Sequence, residues 1–168
     1  IGGLCARTLR FGTGMSLEEL VLRHAVGAPI PTLERERRAA GVMMLPIPRR
    51  GRLVEVRGRE ATLAVPGIED LQISIPRGDE VVPLPEGHRY LGFLFARGED
   101  PAAVEAALRE GHRRLDVKRI TAGPGELVEV QGRRRVLGPD EWYVQGDNAP
   151  ESTDSRDGVN RAPAVAAL

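Results

Sequence analysis

Lysine is almost absent from this chain: of its 24 basic residues, Lys118 alone is not arginine. Cysteine is as scarce. A single residue, Cys5, excludes an intramolecular disulfide framework and a cysteine-based zinc site. Set among Gly2, Gly3, Leu4 and Ala6, it reads as a small buried thiol rather than a nucleophile. The three histidines, His24, His88 and His112, lack metal-ligand spacing, so no metal site is expected. Net charge is missing too. The 24 acids balance the 24 bases, which implies no electrostatic pull toward nucleic acid or an anionic membrane. No apolar run approaches the length of a membrane span, and no signal peptide is visible, so the expected compartment is the cytoplasm. Internal repeats are absent. The chain begins at Ile1 rather than Met, as expected of a fragment or a processed product.

What is present suits a folded protein. The 168 residues fit one ordinary domain, or one small domain plus a fragment, and 41% hydrophobic against 29% charged is a globular composition. Arginine stays protonated at any accessible pH, whereas a lysine amine can lose its proton when its surroundings favour that. The lone Lys118 therefore marks a candidate site. The arginine clusters at 35–38, 49–52 and 133–135 read as solvated loops or strand edges.

Two helices carry clear punctuation. Over 15–27, Ser16 and Glu19 form a capping box, and Leu17, Leu20, Val21 and His24 share one face. Gly27 supplies a left-handed C-terminal residue and Pro29 prevents continuation, with His24 expected in the core or at its rim. Over 101–114, Asp100 is the N-cap and Pro101 the first helical residue. Val104, Ala107 and Leu108 form the apolar face, and Glu105 and Arg109 an i,i+4 pair. Residues 31–40 read as a loop or short irregular helix.

The rest is β-patterned. Runs at 42–47, 53–57, 61–65, 71–75, 80–84 and 90–96 alternate as half-buried antiparallel strands do, with prolines at their ends. After Leu115 come short strands at 117–122, 127–131, 134–137 and 141–145, separated by Gly-Pro, Pro-Gly or Gly-containing turns. The change of pattern places a boundary near 115–117.

Residues 1–115 resemble the C-terminal part of the ATP-grasp carboxylate–amine ligases, the group that includes the L-amino acid ligases. The resemblance rests on Ile1-Gly2-Gly3-Leu4-Cys5-Ala6-Arg7, on Gly14-Met15-Ser16-Leu17-Glu18-Glu19-Leu20, on Gly41 to Pro48, and on Tyr90 to Gly98. It implies a family chemistry in which ATP phosphorylates a carboxylate and an amine attacks the acyl phosphate, with magnesium and cationic side chains stabilising the phosphoryl oxygens. The family's metal-binding carboxylates and phosphate-contacting arginine precede the glycine pair and have no counterpart here. ATP and magnesium are thus implied for the intact ligase, with no cofactor bound by this fragment. Gly2 and Gly3 match the glycine turn at which substrate oxygens approach backbone amides. The remainder would be the small lid that closes over the ligase site.

Residues 117–158 resemble the second half of the signal peptidase I catalytic domain. Lys118-Arg119-Ile120-Thr121-Ala122-Gly123-Pro124-Gly125-Glu126 matches the lysine box, and Gly146 to Arg156 matches G-D-N-x-x-x-S-x-D-S-R at each fixed position. By that resemblance Lys118 is the general base, its amine made neutral by an apolar setting from Val117 and Ile120. Ser152 orients the amine, and Asp154 and Arg156 form an ion pair that holds the loop. Asp147 and Asn148 set the turn through bonds to backbone, with Gly146 and Ser155 completing the motif. The nucleophile motif, Ser-Met followed one residue later by Pro, is not found; Met15-Ser16 has the order reversed.

The expected fold is therefore α+β: a two-helix, antiparallel-sheet lid fragment of an ATP-grasp ligase (1–116), a small all-β signal-peptidase-like unit (117–160) and a tail (161–168). The expected function is a truncated ligase C-terminal region fused to a partial Ser/Lys endopeptidase, inactive alone. The alternatives are a Ser/Lys endopeptidase cleaving a precursor protein, or a non-catalytic β-rich binding domain. A missing ATP-binding half or a nucleophile-bearing segment are the expected partners, and unpartnered strand faces predict self-association.

Overall fold

Helices form where the chain supplies caps. This structure, a computed structural model, describes residues 3–147 and 160–161. A 3₁₀ turn (Leu4–Thr8) and a short ribbon of β1 (Arg10–Phe11) and β2 (Met15–Ser16) lead into α1 (Leu17–Ala25). The Ser16 hydroxyl accepts from the Glu19 amide at 3.1 Å, which satisfies one orphan donor of the first turn. The Glu19 carboxylate turns the other way and accepts from Arg23 at 2.8 Å. Gly27, at φ 67°, ends the helix as expected.

Next come β3 (Ala39–Leu45), β4 (Gly51–Arg57), α2 (Arg59–Leu63), β5 (Ile68–Ile73), β6 (Glu80–Val81) and β7 (Gly92–Gly98). The long helix α3 (Pro101–Arg113) follows, its Asp100 cap accepting from the Ala103 amide at 2.8 Å. Then β8 (Asp116–Ala122), β9 (Leu127–Val130), β10 (Arg133–Val136), β11 (Glu141–Gln145) and β12 (Asn160–Arg161) complete the described chain.

The 61–65 run, expected as a strand, is the helix α2. Gly58 in the left-handed region turns the chain out of β4, and five residues are too few to display a helical period. Tertiary packing decides the matter: Thr62 is fully buried and its hydroxyl donates to the Gly111 carbonyl of α3 at 3.0 Å. Residues 31–38 form no helix; Arg35 bridges to Phe11 and the strand begins at Ala39.

Two main antiparallel sheets share one core. β7 lies between β3 and β5, and a second sheet has the order β12-β11-β8-β4-β6. Alternation along β3 and β7 turns Gly41, Met43, Leu94 and Ala96 to the α3 side. There they meet Val104, Ala107 and Leu108 of the helix, the apolar face expected of it. Leu53 and Val81 of the second sheet enter the same core, as does Val117 of β8. A smaller cluster of Val128, Leu137 and Tyr143 sits under the β9–β10 hairpin.

β8 pairs with β4 on one side and β11 on the other. The division placed between 116 and 117 thus falls inside a strand that starts at Asp116. The change of residue pattern there marks the end of α3 and the entry into a central strand.

Candidate functional site

Lys118 sits in the middle of β8, 6% exposed and opposite Glu55 of β4. Val117 was expected to help make its surroundings apolar, but strand alternation sends Val117 to the other face, into the shared core. Ile120, two residues on, shares the Lys118 face, and its cross-strand neighbour Val144 is equally buried.

The next residue makes the connection to the downstream motif. Arg119 is 2% exposed and grips the Asp147 carboxylate through both terminal nitrogens, Nη1 at 3.0 Å. A two-pronged pair of this kind is strong and directional. The Asp147 carboxylate holds the end of β11 to β8; the turn it was expected to set runs into residues outside the described ones. Thr121 adds to the clasp by donating to the Tyr143 carbonyl at 3.3 Å and the Gln145 side chain at 3.2 Å. Gly146 lines the shallow polar pocket beside this pair with Pro48, Arg49 and Gln145. Asn148, Ser152, Asp154, Ser155 and Arg156 lie outside the described residues. His112 lies within the field of Asp147. Partial burial pushes its imidazole below the ordinary value of 6.5, and the Asp147 charge pulls it part of the way back.

The second candidate area surrounds the glycine turn. Gly2 is outside the described residues, whereas Gly3 is at φ 59° and has open space where a side chain would be. That conformation favours glycine. Gly3 lines an apolar groove of about 700 Å³ whose walls are Leu4, Ala6 and Arg7 of the 3₁₀ turn and Leu17, Val21 and Leu22 of α1. No residue of α1 is buried, and Leu22 and Val26 are 65% and 75% exposed. His24, expected in the core or its rim, is exposed with them, because nothing described covers that face. Cys5 is half-buried.

A third constellation left no trace in the sequence pattern. Arg97 of β7 is 5% exposed and donates to Glu36 at 2.7 Å and Glu69 at 2.9 Å. Arg7 pairs with Asp70 at 2.8 Å and lies over the Phe95 ring at 4.5 Å. Together these bonds fasten the 3₁₀ turn and the 34–38 loop to the outer face of the β3-β7-β5 sheet. Their partners are 28 to 63 residues apart in the chain, so neither spacing nor periodicity could have revealed them.

Residues 43–118 match the family described as L-amino acid ligase C-terminal domain 2. Among solved structures, the chain is similar to the L-amino acid ligase from Bacillus licheniformis at 22% identity and a TM-score of 0.55. That similarity covers 66% of this chain and 27% of the ligase, so the chain corresponds to about a quarter of that enzyme. None of the curated proteins compared with this chain matches its sequence. The fold is thus a small α+β one with antiparallel sheets, similar to part of that ligase, as expected for the first two thirds of the chain. The match ends at Lys118 and so takes in the first three residues of β8.

Proposed function

We propose that this chain is the C-terminal lid region of an ATP-dependent carboxylate–amine ligase of the L-amino acid ligase type. The observation that carries this reading is the family match over 43–118, which spans β3 to the start of β8 and includes the core around Leu94. Among the described residues no three His, Cys, Asp or Glu side chains converge. In this reading ATP and magnesium are held by a separate ATP-binding part, as the family resemblance implies. What this chain offers is a cover: the Gly3 turn with its open backbone, flanked by the apolar walls of the 3₁₀ turn and α1. A cover of this kind excludes water from an acyl phosphate, which would otherwise hydrolyse.

The test is reconstitution. The ATP-binding part of such a ligase, made without its own C-terminal region, is mixed with this chain and two L-amino acids. Amino-acid-dependent ADP release and amide formation are expected to rise well above the level of either component alone. Release no greater than that of the ATP-binding part by itself overturns the reading.

A second reading concerns the opposite end of the molecule and is favoured by the Arg119–Asp147 clasp, which brings the Lys-Arg strand to the Gly146-Asp147 segment. In it Lys118 takes the proton of an attacking serine hydroxyl supplied by this chain or a partner, with Ser152 orienting the amine and Asn148, Asp154, Ser155 and Arg156 shaping the loop. A serine-reactive acyl probe should then label the chain alone or with that partner, and Lys118→Ala should abolish the labelling. Absence of labelling, or labelling indifferent to Lys118→Ala, eliminates this reading.

A further inference from the structure

Strand β3 ends its sheet, and among the described residues no strand pairs with its outer edge. Edge strands are ordinarily protected by a charge, a proline or a bulge. β3 has none of these. Its seven residues, Ala-Ala-Gly-Val-Met-Met-Leu, are uncharged, and their register with β7 is unbroken. Along that edge runs a groove of about 450 Å³ between the strand and α3. Val42 and Met43 line it from the strand, Arg35 from the loop before it, Val104 and Leu108 from the helix, and Glu105 and Arg109 from the helix's exposed side.

We propose that this edge is an interface for a second copy of the chain, with the two β3 strands paired antiparallel about a two-fold axis at Val42. Three features of the molecule fit that partner. Val42 is the central residue of β3, so a two-fold pairing there uses the whole strand and places no charge opposite a like charge. Helix α3 packs over both β3 and β7, and the groove between it and β3 is lined by Val104, Glu105, Leu108 and Arg109. Joining two such edges about the axis turns that side of one α3 toward the same side of the other, the two helices running antiparallel.

The charges agree as well. Gly41, one residue from the axis, lies beneath Val104 and Leu108, since a side-chain carbon there would meet both. Glu105 and Arg109 therefore straddle the axis on the groove side of α3. They are paired at 2.9 Å within one copy, and in antiparallel helices Glu105 of each copy faces Arg109 of the other. The surface is self-complementary, as an isologous interface must be. This inference does not depend on the ligase reading.

Sedimentation analysis of the 168-residue chain tests it. A species of twice the chain mass is expected. Val42→Lys sets two ammonium groups face to face at the axis and should weaken association by roughly tenfold or more. Because Val42 is half-buried, the exposed helix supplies an independent arm: Glu105→Arg should weaken the dimer, and adding Arg109→Glu should restore it. A monomer at the highest soluble concentration overturns the proposal. So does a dimer indifferent to both Val42→Lys and Glu105→Arg, and a dimer sensitive to Val42→Lys alone overturns the two-fold arrangement.

Discussion

Leu94→Ala is expected to lower the free energy of unfolding by about 4 kcal/mol. Leu94 is 0% exposed in the central strand β7, with Met43 opposite it on β3 and Leu71 opposite it on β5. Helix α3 closes the third side: a side-chain carbon added at Gly111 would lie 3.0 Å from a Leu94 methyl. Two hydrogen-bonded strands and a helix in such close contact cannot collapse into the space a shortened side chain leaves, which puts the cost toward the upper end for such truncations. With a urea dependence of about 2 kcal/mol per molar, the denaturation midpoint should fall by roughly 2 M. A fall of a few tenths of a molar would mean that the α3–β7 contact is loose, and that the two sheets do not share a rigid core.

Gly58→Ala should cost at least about 3 kcal/mol, by a different route. Gly58 ends β4 at φ 79°, a conformation that costs a residue with a side chain roughly 1–2 kcal/mol. Its added carbon would also lie 1.9 Å from the Arg114 carbonyl oxygen, a backbone atom that no rotamer change can move. Gly58 joins β4 to α2, while Arg114 joins α3 to β8, so the clash pries apart the two connections that feed the β4–β8 pair. Gly125→Ala is the control. It has a similar φ of 81° but open space around it, so it should lose only the conformational part, roughly 1–2 kcal/mol. Equal losses at the two glycines would show that the close approach at Gly58 contributes nothing.

These two positions bear on how the chain is organised. β8 is central in its sheet, and its Val117 enters the same core as Leu94. A destabilisation at Leu94 or Gly58 should therefore be felt at Lys118 and Arg119. The abrupt change in pattern after Leu115 is a change of secondary structure, from helix to strand. The part that stands more nearly by itself is the β9–β10 hairpin with its small cluster of Val128, Leu137 and Tyr143.

The helices α1 and α3 and most strands were legible from residue order, because caps and alternation act over a few residues. Ser16 and Asp100 cap where their hydroxyl or carboxylate meets the third amide on. Gly27 ends a helix because it tolerates the left-handed region. The ligase resemblance was legible as well, in short runs such as Gly41 to Pro48 and Tyr90 to Gly98, which are β3 and β7 with their flanks. α2 was not, since five residues show no period and a distant carbonyl, that of Gly111, holds Thr62 in place.

The sequence by itself determined the composition, the local elements and the presence of a lysine in a β-rich setting, all of which depend on near neighbours along the chain. The tertiary structure alone decided that Asp147 binds Arg119, that Arg97 gathers Glu36 and Glu69 and that, among the described residues, α1 keeps a bare apolar face and β3 is left at an edge. Each of these depends on which strands lie side by side. That choice is made by burying side chains far apart in sequence, and short-range pattern holds no record of it.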